Sequence, residues 1–194
     1  RSDPAVGIAA VDAPNWKGVA FSDPPFNDLT RTNVLNDLGV SWWYSGGYED
    51  QFLNDPRFIP MIGALRDGRY EGGICTTPLC LANYARTYPG RTWLLLSEPE
   101  RPEEGNITPA EAARQVETMT NALRDTDPGA QIYCCGTRAD AEGLQWMRAF
   151  LNELTIPLDG IHVHAYGPGY PQARAEDLES YWAAMQDTGG GQGL

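Results

Sequence analysis

An α/β fold built on an all-parallel sheet is predicted by three features of the sequence. Six short apolar segments are followed in turn by segments of helical character, so the chain reads as six successive strand-helix units. No pair of neighbouring strand segments reads as a hairpin. The fourth segment, Trp93 to Leu96, is an apolar run between Pro89-Gly90 and Pro99, the pattern of a strand buried on both faces. Two closures fit such a sheet: an open doubly wound sheet or a barrel.

The elements follow in order. Residues 1 to 15, with Pro4 and Pro14, read as a surface lead-in. Trp16 to Ser22 is a strand ended by Asp23-Pro24-Pro25, and Asp28 to Leu38 carries Leu29, Val34, Leu35 and Leu38 at helical spacing, with Gly39 as its stop. Val40 to Ser45 is an aromatic second strand broken by Gly46-Gly47; Glu49 and Asp50 after it read as solvated. Phe58 to Ile62 is the third strand, although Pro60 removes a ladder donor from it. Thr77-Pro78 opens a helix that runs to about Tyr88.

Behind the fourth strand, Thr108-Pro109-Ala110-Glu111 has the form of a capping box, and Ala112, Val116, Met119 and Leu123 mark the buried face of the helix it starts. That cap also gives Thr108 a better explanation than the glycosylation signal Asn106-Ile107-Thr108. Ala130 to Cys135 is the fifth strand, with Leu144, Met147, Leu151 and Leu154 on the next helix. Ile161 to Tyr166 is the sixth, and Leu178, Tyr181, Trp182 and Met185 are expected to face inward from a last helix.

The chain of 194 residues suits a single domain over 1–194, with 42% hydrophobic and 21% charged residues as in soluble globular proteins. No apolar stretch is long enough for a membrane span, and Arg1-Ser2-Asp3-Pro4 lacks a signal-peptide core, so a secreted protein would be in its processed form. A net charge of -12 argues against nucleic-acid and anionic-membrane partners. It is compatible with a neutral polysaccharide, which aromatic faces hold, and the chain has six Trp and nine Tyr. Cys75 and Cys80 are spaced for a local disulfide, whereas the adjacent Cys134 and Cys135 are expected not to bridge each other without strain. The cysteine and histidine spacings form no zinc pattern, and no glycine-rich phosphate loop follows the first strand, so neither a metal nor a cofactor is expected.

The chemistry points to the end of the fourth strand. Carboxyl ends of parallel strands open onto the ligand crevice, which puts Glu98 at the rim, and Pro99 turns the chain away directly after it. Apolar and aromatic neighbours would disfavour the charged carboxylate, as a general acid requires. In the sixth strand His162, His164 and Tyr166 alternate and share one face. His162 reads as a hydrogen-bonded core residue; His164 and Tyr166 stand nearer the mouth. Trp42, Trp43 and Tyr44 cannot all point the same way, and at least one faces the mouth, where a sugar ring stacks well.

These strand ends, V-S-W-W-Y-S, F-I-P-M-I, L-L-L-S-E-P-E and I-H-V-H-A-Y-G, resemble in order those of the barrel glycoside hydrolases of the large retaining clan. They are most similar to the glycosyl-hydrolase catalytic-core family that contains endo-β-1,3-glucanases. The resemblance runs from about Trp16 to Leu194. It implies a parallel TIM-type barrel, here lacking its last two β/α units, and a secreted glycoside hydrolase that cleaves β-linked glucan with retention. Glu98 takes the position of the acid/base. Trp42, Tyr44, Ser97, His164 and Tyr166 take positions against the sugar, Ser97 standing where the family has Asn. The nucleophile is expected to be a Glu on a seventh strand beyond Leu194, since retaining chemistry needs two carboxyls about 5 to 5.5 Å apart. A barrel cut after six units leaves two edges unpaired and open to self-association. Ser97 and the missing strand motivate a rival, a non-catalytic carbohydrate-binding or assembly protein on a degenerate barrel. An open-sheet nucleotide enzyme is a third reading, marked by thermal stabilisation on adding nucleotide.

Overall fold

The computed structural model describes residues 18–21, 28–45, 50–66, 69–70, 75, 77–165, 176, 178–179 and 181–183. In chain order the elements are β1 (Gly18–Phe21), α1 (Asp28–Leu38), β2 (Trp42–Ser45), a 3-10 turn (Asp50–Asn54), β3 (Met61–Ile62), β4 (Leu65–Arg66) and β5 (Arg69–Tyr70). They continue with α2 (Pro78–Thr87), β6 (Thr92–Leu95), α3 (Pro109–Arg124), β7 (Gln131–Arg138), α4 (Ala141–Glu153) and β8 (Gly160–His164). β1 pairs with β2, and β3-β6-β7-β8 form a second group, all of these pairs parallel. The two groups are joined at Trp43, whose amide donates to Arg57 O at 2.9 Å while its carbonyl accepts from Ile59 N at 2.8 Å. Parallel strands therefore succeed one another in sequence order with no reversal, the order that right-handed β-α-β units produce.

Three strand expectations need correction. The third strand is only two residues long, because Pro60 has no N–H to pair; its carbonyl still accepts from Leu94 N at 3.0 Å. The strands are not all parallel: β4 and β5 are two-residue strands that pair antiparallel, Leu65 opposite Tyr70 and Arg66 opposite Arg69. The fourth strand is not buried on both faces. Trp93 and Leu95 are fully buried on one side of β6, whereas Thr92 and Leu94 on the other line a cavity.

That alternation sets the architecture. One sheet face carries Trp43, Ile62, Trp93, Leu95, Ile132 and Cys134 into cores beneath the helices. The other face remains partly open. α3 contributes Ala112, Val116, Met119 and Leu123 to the main core, the stripe read from its sequence. A smaller core holds Leu35, Trp43, Phe52 and Phe58, capped by Arg31 with its guanidinium 4.0 Å from the Phe52 ring centre.

Thr77 and Thr108 cap α2 and α3 by accepting from Cys80 N and Glu111 N at 3.3 and 3.2 Å. The capping box is only half made, because the Glu111 carboxylate is drawn to Arg114 and Gln115. Of the last helix, Tyr181 is buried and hydrogen-bonded to Thr137 at 2.9 Å, but Leu178 and Trp182 are exposed rather than inward; Met185 lies outside the described residues. Both cysteine pairs are bonded. Cys134 and Cys135, contrary to expectation, bridge each other across a cis peptide that brings their Cα atoms to 3.1 Å.

Candidate active site

Glu98 stands where β6 gives way to its loop, and the backbone there is tightly specified. Leu96 and Glu98 have φ of 63° and 42°, left-handed values that side-chain-bearing residues adopt only under constraint, at roughly 1–3 kcal/mol each. The constraint is visible. Leu96 N donates to Ile62 O on β3 at 2.7 Å, and Glu98 N donates to Gly136 O on β7 at 3.1 Å. The loop then folds back under itself: Glu98 O accepts from Arg101 N at 3.1 Å, and Pro99 O from Ile107 N at 3.0 Å. Gly105 is a close-approach position, since a Cβ there would fall 2.6 Å from Pro99 Cα. Such strain at a pinned strand end is typical of functional sites.

Glu98 as a residue is 4% exposed. Oε1 accepts from His164 Nδ1 on β8 at 2.9 Å, and Oε2 from Arg101 Nη1 at 2.6 Å. Besides the apolar and aromatic neighbours expected there, an imidazole and a guanidinium grip the two oxygens. The strand order makes this possible. β8 is two strands from β6, and the register brings Arg138 opposite His164 with Ala139 N donating to His164 O at 2.9 Å.

His162 shares the face of His164, as the alternation predicts, with ring centres 6.1 Å apart. Its Nε2 donates to Leu95 O at 3.2 Å, and burial pushes its pKa down to about 4, so it is neutral at neutral pH. That is the structural role read for it. Between the two rings lies Gly136, at φ +64 in the irregular stretch of β7; a Cβ there would meet His162 Cε1 at 2.9 Å, Leu96 O at 3.1 Å and His164 Nε2 at 3.2 Å. Gly136 is thus a site residue that sequence reading passes over.

Both histidines open onto a cavity of about 520 Å³ on the inner sheet face, shared with Tyr44, Leu94 and Tyr133. Trp42 and Tyr44 face it, whereas Trp43 is turned into the core with no exposure. Trp42 lines it from the start of β2, the end remote from the Glu98 loop, and its indole lies over Gly18, where a Cβ would fall 2.0 Å away. Tyr44 is one pleat nearer the carboxyl end, and burial raises its hydroxyl above the ordinary value. Ser97 is half-buried between the two strained residues. Tyr166 and Glu49 lie outside the described residues.

Two neighbours of Glu98 were not singled out from sequence. Arg101 is recognisable in retrospect as a cation three residues past the acid in E-P-E-R, a spacing that brings the two together only because the loop turns sharply. Glu100 accepts from Arg138 N at 2.8 Å, and burial pushes its pKa up, while its other oxygen is buried without a partner among the described residues. Among those residues no group of three or more His, Cys, Asp or Glu is placed to hold a metal ion. No described helix is long and apolar enough to cross a membrane.

The chain was compared with known proteins. Residues 18–188 match the family described as glycosyl hydrolase catalytic core. No curated protein matches. Among solved structures, a GH128 subgroup I endo-β-1,3-glucanase from Amycolatopsis mediterranei in complex with laminaritriose is similar at TM-score 0.57 and 22% identity, over 88% of this chain and 66% of that one. A subgroup II endo-β-1,3-glucanase from Pseudomonas viridiflava gives 0.62 and 22%, over 86% and 66%. A subgroup III curdlan-specific exo-β-1,3-glucanase from Blastomyces gilchristii, in complex with glucose, gives 0.59 and 20%, over 89% and 71%. The present chain thus spans about two thirds of the length of these structures, and at such identities the likeness concerns the fold.

Proposed function

Since this chain belongs to the glycosyl hydrolase catalytic core family, we propose that it forms the acid/base side of an enzyme that hydrolyses β-1,3-linked glucan with retention. The observation that carries the reading is Glu98: a buried carboxyl on a strained strand end, gripped from two strands away by His164, which itself lines a cavity with aromatic walls. The bound laminaritriose in the Amycolatopsis structure supports the substrate class.

In this reading Glu98 protonates the glycosidic oxygen as the bond to the anomeric carbon breaks, then takes a proton from the water that releases the glycosyl-enzyme. His164 fixes the carboxyl plane through Oε1 in both steps. Tyr44 and Tyr133 offer ring faces to the sugar, and Ser97 offers a hydroxyl beside the acid. The attacking carboxylate is expected on a seventh strand beyond Leu194, in further strand-helix units that would close a barrel.

The test is Glu98→Gln in the complete protein. Hydrolysis of laminarin is expected to fall roughly 10²- to 10⁴-fold. A β-glucoside whose phenolate leaves without protonation should lose far less in the step that forms the glycosyl-enzyme. Equal activity of variant and parent on laminarin would remove the assignment, and a protein that binds laminarin but never cleaves it would favour a carbohydrate-binding role.

A further inference from the structure

We propose that Arg101 is a positioning residue for Glu98 and that Glu103 competes for it, so that this pair sets the pH range over which the acid/base carboxyl keeps its proton. The proposal rests on the catalytic reading of Glu98 given above.

Arg101 is fixed by its backbone and shared by its side chain. Its N–H donates to Glu98 O, and its carbonyl accepts from Glu104 N at 3.1 Å and Asn106 N at 2.9 Å. Asn106 closes this turn at φ 47°, a left-handed value that Asn tolerates better than most residues. The guanidinium reaches inward to Glu98 Oε2 at 2.6 Å and outward to Glu103 Oε2 at 3.6 Å. Glu98 keeps 6% of its side chain exposed, Arg101 32% and Glu103 66%, so one cation bridges a buried carboxylate and a solvated one. Pairing with Glu98 is also the main reason that Arg101 is held above its ordinary pKa.

The acid/base must be protonated in one half-reaction and ionised in the other. A guanidinium on Oε2 favours the ionised form; drawn toward Glu103, it favours that form less. Among the described residues, the other titratable groups beside this carboxyl are His164 on Oε1, with His162 next to it on β8, and Glu100 in the same loop. Arg138 on β7 is turned instead to Asp140 and Glu142. Arg101 is the cation directly on Oε2, and its outward partner is on the surface, where it is easily altered.

Two variants move the balance in opposite directions. In Arg101→Met the ionised carboxylate loses the guanidinium on Oε2, so the Glu98 titration midpoint and the basic limb of kcat/KM should both rise by about 1–3 pH units. Arg101→Lys keeps a charge without the planar fork and should shift less. In Glu103→Gln the guanidinium is left to Glu98, and both quantities should fall by about a few tenths of a pH unit, as suits an exposed competitor.

The measurement is carboxyl-carbon NMR with labelled glutamate, the Glu98 signal identified by its loss in Glu98→Gln, alongside pH profiles of laminarin hydrolysis in the complete protein. An unmoved midpoint in Arg101→Met, or a shift of the same sign in Glu103→Gln, overturns the proposal. Should Arg101→Met fail to fold, Arg101→Lys and Glu103→Gln supply the same comparison. The two readings fail separately. Full activity of Glu98→Gln removes the catalytic assignment and leaves the NMR comparison valid, whereas an inactive Glu98→Gln with unmoved midpoints removes only the role of Arg101.

Discussion

Two residues apart on β8, His162 and His164 meet different partners: a backbone carbonyl for the first and a carboxylate for the second. The difference has a consequence for stability. His162 has a folded pKa of about 4 against an ordinary 6.5, so between those values the unfolded chain binds a proton that the fold refuses. Its contribution is therefore complete above pH 6.5 and is lost as the pH falls toward 4, by up to roughly 3 kcal/mol. His162→Gln keeps an N–H for Leu95 O and does not titrate; denaturation midpoints measured across this range should fall less steeply in the variant than in the parent. Equal slopes would assign the acid sensitivity to other groups. Glu100 works with the opposite sign: burial raises its pKa, so its ionisation costs stability at neutral pH, and that cost is relieved in acid.

At the scale of elements, β7 connects the sheet to the site through a single glycine. Gly136 O anchors the amide of Glu98, and the glycine leaves room for both imidazoles. Gly136→Ala adds a methyl 3.1 Å from the Leu96 carbonyl, which is backbone and hard to displace, and imposes φ +64 on a residue with a Cβ. A loss of about 1–3 kcal/mol in chemical denaturation is expected, together with a fall in hydrolysis. Gly39→Ala is the control: it has a similar φ, +59, but open space around the new methyl, so it should cost stability alone. If Gly136→Ala were no worse than Gly39→Ala in both measurements, the glycine would be only a turn residue.

The same scale separates what was legible in the sequence from what was not. α1 occupies the very residues that the Leu and Val spacing indicates, and Thr108 begins α3, because periodicity and caps are local signals. Glu98 was legible from a strand pattern ending in acid, and His164 from alternation. Arg101 was not, since its approach to Glu98 depends on positive φ at Glu98 and Asn106, which nothing nearby announces. Neither was the open inner face of β6. Trp-Leu-Leu-Leu is apolar at every position, so burial on one side cannot be told from burial on two.

For the molecule as a whole, the unequal faces of the sheet carry the argument furthest. Helices cover the side of Trp43, Trp93 and Ile132, while Tyr44, Leu94 and Tyr133 surround the cavity on the other; among the described strands, β1 and β8 each pair on one side only. A partly apolar inner face between strands that pair on one side tends to find a partner. The similar solved structures are about half as long again as the share this chain spans, and in the reading proposed above further strand-helix units would close a barrel over that face. Opposing association is a net charge of -12, whose repulsion is screened within about 10 Å at ordinary salt and more at high salt. The 194-residue chain on its own is therefore expected to self-associate with rising concentration in sedimentation velocity, more strongly at high ionic strength. A version continued through two more strand-helix units should remain a monomer under the same conditions. If the shorter chain were also monomeric at every concentration and salt, its inner face would have to be covered from within the chain, and the proposed closure of the barrel by additional strands would lose its physical motive.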